Sequence, residues 1–257
     1  MRTLLVLTLT TLLAGGAAAQ SADFRWSGRL GADQVLEVRG VNGDVRAVPA
    51  SGDVVEVTAR RYGDRDDPES VRIEVVEHDE GVTLCAVYPT PRDARRENEC
   101  RPGGGHNNVE RNDVRVDFTV RVPTRVRFHG HTVNGAMEVE GLQADVRAST
   151  VNGDVDIRTA GLAEANTVNG GITAVLGTSR LRDDVRFETV NGSITLEIPD
   201  GLNADFRAST VNGTIDSDFA ILVSGKVDPR SLRGTIGDGG PELRLSTVNG
   251  SIRIRQR

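Results

Sequence analysis

The sequence predicts an all-β fold, a parallel β-solenoid built from coils of 17–22 residues with Asn-Gly turns. Three observations support this prediction. Val-Asn-Gly recurs seven times, apolar and polar residues alternate on both sides of each copy, and Gly contributes 29 residues while aromatic residues make up only 4%. Fixed-period repeats indicate stacked units, and alternation with a period of two indicates half-buried strands.

The repeat unit is Thr-Val-Asn-Gly, because Thr precedes Val in six of the seven copies. From Asn134 onward, the Asn residues follow one another at intervals of 18, 17, 22, 21 and 37 residues. The last interval is about two units long, which predicts a degenerate copy near Leu222-Val223-Ser224-Gly225. The predicted turn ladder consists of Asn42-Gly43, Asn134-Gly135, Asn152-Gly153, Asn169-Gly170, Asn191-Gly192, Asn212-Gly213 and Asn249-Gly250.

Asn-Gly also favours two-residue hairpins, because both residues tolerate positive φ in a type I′ turn. An antiparallel meander of Asn-Gly hairpins is therefore the alternative fold. A meander does not require Thr and Val to recur beside Asn-Gly. In a solenoid, equivalent residues stack about 4.8 Å apart, and ladders of identical side chains are stabilising.

The last strand, residues 251–257, is expected to close the stack. Its outward positions are charged, which protects an exposed sheet edge from association. The ordinary alternation of apolar inward residues and polar solvent-facing residues along a strand explains the same charges.

The first 19 residues read as a secretory signal peptide, with a basic start, a short apolar run and an Ala-x-Ala site. We expect cleavage between Ala19 and Gln20. The mature protein is then soluble, without a transmembrane segment, in the periplasm, at the cell surface or outside the cell. Because Gln20 rather than Cys follows the cleavage site, no lipid anchor is expected there.

Residues 20–125 form an N-terminal β-rich region and residues 126–257 the repeat region; an alternative division joins 35–125 to the repeats as one continuous domain. Strands are expected near residues 54–57, 71–75, 82–87 and 114–122. Residues 89–112 form a long polar loop, the first place to look for a binding site outside the repeats. Cys85 and Cys100, the only cysteines, are expected to form a disulfide in an oxidising compartment.

No reactive constellation emerges, and neither a cofactor nor a metal is expected. His129 and His131 share one face of a strand but lack a third zinc ligand. The acidic run at residues 64–69 lacks the spacing of an EF-hand. Two of the outward acids could form a carboxylate pair of the glycosidase type, although such pairs also arise wherever outward positions are polar. The candidate acids are Asp154, Asp156, Glu197 and Asp216. The net charge of -6 gives no nucleic-acid footprint.

Arg121-Val122-Pro123, then Val126-Arg127-Phe128, then recurring strand-Asn-Gly-strand units resemble the putative adhesin family of exported bacterial β-repeat domains. The resemblance covers Val35 to Arg257. It implies a β-helix-like fold in the envelope and brings no catalytic residues. The expected function is a non-catalytic adhesin-like scaffold that binds a surface polymer, a glycan or an envelope protein. The alternatives are a β-helix polysaccharide lyase or hydrolase and a purely structural envelope component.

Overall fold

A computed structural model describes residues 20–223 and 228–257. The expected signal peptide, including Ala19, lies outside these residues. The described chain is all-β, with one 3₁₀ turn at Pro68–Ser70. Its strands are β1 (Gln20–Gly28), β2 (Val35–Arg39), β3 (Val45–Pro49), β4 (Val55–Gly63), β5 (Arg72–His78), β6 (Gly81–Val87), β7 (Glu99–Arg101), β8 (Gly104–His106), β9 (Arg115–Val122), β10 (Arg127–His131), β11 (Met137–Leu142), β12 (Val146–Ser149), β13 (Val155–Thr159), β14 (Ala163–Asn166), β15 (Ile172–Leu176), β16 (Val185–Glu188), β17 (Ile194–Ile198), β18 (Ala204–Ser209), β19 (Ile215–Ser217), β20 (Ile221–Leu222), β21 (Ser231–Ile236), β22 (Glu242–Ser246) and β23 (Ile252–Gln256).

Two large mixed sheets contain nearly all of these strands. Sheet 1 has the order β1-β4-β9-β3-β11-β13-β15-β17-β23-β19, and sheet 2 has the order β20-β21-β18-β22-β16-β14-β12-β10-β2-β6-β5. Pairing is parallel through the middle of both sheets and antiparallel at β1, β4 and β5 on one side and at β20 and β21 on the other. β7 and β8 form a separate hairpin.

Each Asn-Gly pair joins a strand of sheet 2 to a strand of sheet 1. β12, for example, leads into Asn152, and β13 follows it. We call the two strands that flank one Asn-Gly pair a layer. The strands of a layer pair with neighbouring layers and not with each other, so the hairpin meander is wrong. Stacked parallel layers are consistent with a solenoid.

The Asn-Gly pairs are bends rather than hairpin turns. Each Asn forms an isolated parallel bridge to the Asn of an adjacent layer. A type I′ turn needs positive φ at both residues, yet none of the seven Asn residues has it, and among their seven glycines only Gly43 does, at 127°. The recurrence of Asn-Gly therefore has a cause other than turn geometry.

Three residues of the motif make close contacts across the gap between layers. Each motif Thr is buried and donates its hydroxyl to the Gly carbonyl of the adjacent layer, over 2.8–3.0 Å. Each Asn amide except that of Asn42 donates to the Asn carbonyl of the adjacent layer, over 2.7–2.8 Å. Gly is needed because a Cβ at Gly170 would lie 2.0 Å from the carbonyl oxygen of Gly153.

The layers do not stack in chain order, which corrects two expectations. β22 lies between β16 and β18, and β23 lies between β17 and β19. Residues 251–257 are therefore inside the stack and do not close it. The expected copy near Leu222 is also wrong, because Leu222 belongs to β20, which pairs antiparallel with the capping strand β21; Ser224 and Gly225 lie outside the described residues.

The chain between the first and second motif copies extends both sheets beyond β2 and β3, at the other side of the stack. β6 pairs with β2 and β9 pairs with β3, both in parallel. The four strands expected there correspond to β4, β5, β6 and β9. Both sheets run without interruption from these strands into the repeats.

The core lies between the two sheets and is built from alternate residues. Its aromatic members are fully buried: Tyr88, Phe118, Phe128, Phe187 and Phe206. Burying each such ring stabilises the fold by about 1.5–3 kcal/mol relative to exposure. The inward positions are thus committed to packing, and the outward faces are available for function. Within the described residues, no helix has the length and apolarity to cross a membrane.

Candidate binding groove

Polar side chains form a row across the outer face of sheet 2. Glu37 on β2 pairs with His129 on β10, which pairs with Arg147 on β12, which pairs with Glu164 on β14. Because parallel strands in register place equivalent side chains side by side, four successive layers present these groups on one surface. A second row beside it contains Arg39, His131, Ser149 and Asn166.

The disulfide loop forms one wall of this surface. Cys100 on β7 is bonded to Cys85 on β6, the disulfide expected from the sequence. The hairpin of β7 and β8 then reaches β2, where the backbone N–H of Gly103 donates to Oε2 of Glu37 over 2.8 Å. The long polar loop therefore has an ordered centre, which lies against the outward face of sheet 2.

Asn98 holds the same loop from within and is itself buried. Its side-chain amide donates to the carbonyls of Tyr88, Pro89 and Asn108, over 3.0, 3.3 and 2.9 Å. Its carbonyl accepts the backbone N–H of Asn108 over 2.7 Å. A buried amide with all of these bonds fixes the loop backbone, so the wall beside the groove is a defined structure.

Glu37 is the buried acid at the junction of loop and sheet, with 7% of its surface exposed. Burial favours its neutral form, but the Gly103 N–H, Arg39 and the Thr83 hydroxyl all stabilise the charge, and together they hold the pKa of Glu37 below its usual value. Arg39 Nη1 and Thr83 Oγ1 each donate to it over 2.8 Å. The carboxylate stays ionised and links loop, β2 and β6.

The two histidines are half-buried and uncharged at neutral pH. Burial lowers the pKa of His129 to about 4, helped by the charge of Arg147. Burial also lowers the pKa of His131, helped by Arg39. His131 Nδ1 lies 2.6 Å from the Ser149 hydroxyl. Each neutral ring carries one donor and one acceptor, which suits hydroxyl groups better than ions.

Three adjoining depressions of about 160, 210 and 600 Å³ make one groove along this face. Arg39 and His131 line both the first and the second, whereas His129, Arg147 and Glu164 line both the second and the third. We call this surface the sheet-2 groove. It is open and polar.

The histidine pair lies in this groove, with both rings on one face as expected. No group of three or more His, Cys, Asp or Glu side chains in the described chain is arranged to hold a metal ion. Asp66 and Asp113 exchange bonds with the backbone of each other's segment, and Asp67 caps the 3₁₀ turn. The acidic run at residues 64–69 therefore contributes bonds within the loop region.

The outward acids of sheet 1 lie beside acidic, basic and hydroxyl side chains. Asp156 neighbours Glu138 on one side and Thr173 on the other. Glu197 and Asp216 neighbour Arg255 and Arg253 of β23, respectively, and Arg255 Nη2 lies 3.2 Å from Asp216 Oδ2. Asp154 belongs to a bend, where its Oδ1 accepts the N–H of Gly171 over 2.7 Å. Asp216, next to β23, is thus paired with an arginine, whereas Asp156 lies beside a second carboxylate.

Sequence reasoning did not find Glu37, Arg39, Arg147, Glu164 or Asn166. Each is an ordinary outward residue of a strand, so nothing in its local sequence marks it. Only the alignment of layers brings them together. The available signal was their equivalent position relative to the motif, since Arg39, His131, Ser149 and Asn166 each lie three residues before the Asn of their layer.

Comparison with known proteins places this chain in a family. The family model described as Toastrack DUF4097 matches residues 115–255, more than half of the chain. The chain belongs to the Toastrack DUF4097 family. This match and the similar structure below confirm the resemblance to an adhesin-like domain of unknown function. No match was found among curated proteins.

A solved structure shares this fold at low sequence identity. One similar structure is a putative cell adhesion protein from Clostridium sporogenes, with 12% identity and a TM-score of 0.50, over 93% of this chain and 100% of that chain. Another is a putative adhesin from Bacteroides fragilis, with 11% identity and a TM-score of 0.35, over 91% of this chain and 97% of that chain. The first shows that a solved fold resembles that of this Toastrack chain.

Proposed function

We propose that this Toastrack chain is an exported, non-catalytic β-solenoid scaffold of the adhesin type, whose sheet-2 groove binds a hydroxyl-rich surface glycan. The observation that carries the proposal is the groove itself, a continuous polar surface several layers long beside a disulfide-anchored wall. An extended groove suits a polymer better than a small molecule, which needs an enclosing pocket.

The chemistry of the groove supports a ligand rich in hydroxyl groups. His129, His131, Ser149 and Asn166 supply neutral groups that can both donate and accept hydrogen bonds. The charged groups beside these neutral ones are paired with each other, since Arg39 bonds Glu37 and Arg147 Nε lies 3.4 Å from Glu164 Oε2. A neutral polar polymer therefore finds partners there without displacing a strong ion pair.

The non-catalytic role is part of the proposal. A glycosidase needs two carboxyl groups about 5–9.5 Å apart, with one of them kept protonated. Glu37 is held ionised and saturated by three donors, and Glu164 is in an ion pair. Glu37 is therefore a poor candidate for the proton donor that such an enzyme needs. An exported or surface location fits both the adhesin-like fold and the signal-peptide pattern.

Binding to immobilised neutral polysaccharides tests the proposal. The groove variant H131A/N166A removes two polar side chains and should weaken binding about tenfold or more, since each lost hydrogen bond costs about 0.5–1.5 kcal/mol. The matched control T173A/T195A removes two outward side chains from sheet 1 and should bind as the unmodified protein does. Equal binding by both variants would contradict the proposal.

Release of reducing ends from the same polysaccharides tests the non-catalytic part. We expect none above background. Cleavage by the unmodified protein that disappears in H131A/N166A or E164Q would show that the groove is an active site instead.

A further inference from the structure

The row that begins in the sheet-2 groove continues into four successive arginines. Arg186 on β16 pairs with Arg244 on β22, Arg244 with Arg207 on β18, and Arg207 with Arg233 on β21. Neighbouring strands lie about 4.8 Å apart, so the four positions span roughly 14 Å. The insertion of β22 between β16 and β18 places Arg244 between Arg186 and Arg207.

The positive charge of these four arginines is only partly neutralised by carboxylates of the described chain. Arg244 Nε lies 3.6 Å from Glu188 Oε1 and Arg207 Nη2 lies 3.3 Å from Glu242 Oε2. Arg186 and Arg233 are exposed and form no ion pair or hydrogen bond with any described residue. The Nε of Arg207 is buried and finds no acceptor in the described part of the chain. A buried unsatisfied donor is costly, and four aligned guanidinium groups repel one another.

The two sides of the arginine row differ. Glu242 and Asp205 lie on one side, next to each other. On the other side, Glu188 is followed by a row of hydroxyls, with Ser246 beside Glu188 and Ser209, and Ser209 beside Ser231. Guanidinium groups next to hydroxyls form a strip of hydrogen-bond donors suited to oxyanions. We call the arginines together with these serines the arginine strip.

We propose that the arginine strip binds the carboxylates of an acidic polysaccharide. This inference rests on the proposed function and deepens it, because it assigns the glycan a negative charge that recurs along the stacking direction. A chain lying along the row meets hydroxyl-binding groups in the groove and then cationic groups at the strip. Sheet 1 offers no equivalent row, since its Arg253 lies between Thr195 and Asp216 and its Arg255 is bound to Asp216 and Asp218.

The test uses polygalacturonate and its fully methyl-esterified form, which share a backbone and differ in charge. R186Q/R233Q should weaken binding of polygalacturonate roughly fivefold, as expected for two exposed ion pairs, and leave binding of the ester unchanged. R158Q/R253Q removes two unpaired exposed arginines from sheet 1 and is the matched control. Binding of the acid form should also weaken with added salt. Urea midpoints of all variants check that each is folded.

Three results would overturn the inference: equal losses in both arginine variants, equal affinity for the acid and the ester, or equally tight binding of double-stranded DNA. Failure of the inference can be told from failure of the proposed function. If the ester binds and H131A/N166A abolishes this binding, the groove stands and the strip alone is wrong. If polygalacturonate binds through the strip and H131A/N166A has no effect, the strip stands and the groove is wrong.

Discussion

Replacing Gly170 with alanine tests the close approach of neighbouring layers. The added Cβ would lie 2.0 Å from the carbonyl oxygen of Gly153 and 2.5 Å from its carbon, whereas real Cβ contacts stay above 3.0 Å. The two layers must therefore separate locally by about 1 Å. Among the hydrogen bonds that cross this gap, four lie close to Gly170, at 2.8–3.0 Å. The Gly153 N–H donates to the Asn169 carbonyl and the Asn169 N–H to the Val151 carbonyl. The Thr167 hydroxyl donates to the Gly153 carbonyl, and the Asn169 side-chain amide donates to the Asn152 side-chain carbonyl.

Losing two or three of these bonds, at about 1 kcal/mol each, gives a destabilisation of roughly 2–3 kcal/mol. A smaller gain of about 0.4–1 kcal/mol, from the reduced freedom of the unfolded chain, acts against it. The net expectation for G170A is a loss of about 2 kcal/mol. Urea unfolding followed by circular dichroism measures it as a lower midpoint at constant slope.

Gly52 provides the matched control, because a Cβ there meets no atom within 4 Å. G52A should leave the midpoint unchanged or raise it slightly. If G170A and G52A have the same midpoint, the layers are not packed as closely as described, and the explanation for the recurring glycine is wrong.

Three further predictions concern the groove and its wall. C85A/C100A should lower the free energy of unfolding by about 3 kcal/mol, because the disulfide closes a separation of 15 residues; urea midpoints that match the oxidised protein would contradict this. His129 has a folded pKa of about 4 against 6.5, so the unfolded chain binds more protons between these values and stability should fall as pH drops from 6.5 to 4; H129Q should flatten that slope in urea titrations at stepped pH. The lowered pKa of Glu37 means that its carboxylate stabilises the fold above pH 4.5 and that this stabilisation is lost as pH falls below that value. E37Q should therefore lower the free energy of unfolding near neutrality and much less in strong acid. An equal loss at both pH values would refute the role of the charge.

The sequence was sufficient to predict the strands that flank the motif copies, together with β4, β5, β6 and β9, but not β1 or the hairpin of β7 and β8. Alternation around residues such as Val185, Phe187, Ile194 and Leu196 marks the inward positions, and all four are buried. Recurrence of a whole tetrapeptide, rather than of Asn-Gly alone, favoured stacked layers over hairpins. The physical reason is that Thr, Asn and Gly each make a contact between layers, and a hairpin would need none of these contacts.

The order of the layers could not be predicted, because a spacing along the chain does not say which neighbour a layer has in space. The interval of 37 residues before Asn249 fits two layers in series as well as one layer inserted next to an earlier one. The groove was missed for the same reason. Glu37 and His129 are 92 residues apart in the chain and adjacent in the sheet.

The inserted layer constrains how the chain reaches its final shape. Residues 204–217 are synthesised before residues 242–256, yet they dock onto them through β18–β22 and β19–β23. Folding during synthesis can therefore add layers in order only as far as β17, after which two strands must wait for a partner that does not yet exist. Deleting residues 242–257 would excise an interior layer and leave the arginine strip without its second member. This chain order also makes the end of the repeat cooperative, because β18 and β19 can pair only after β22 and β23 have been synthesised.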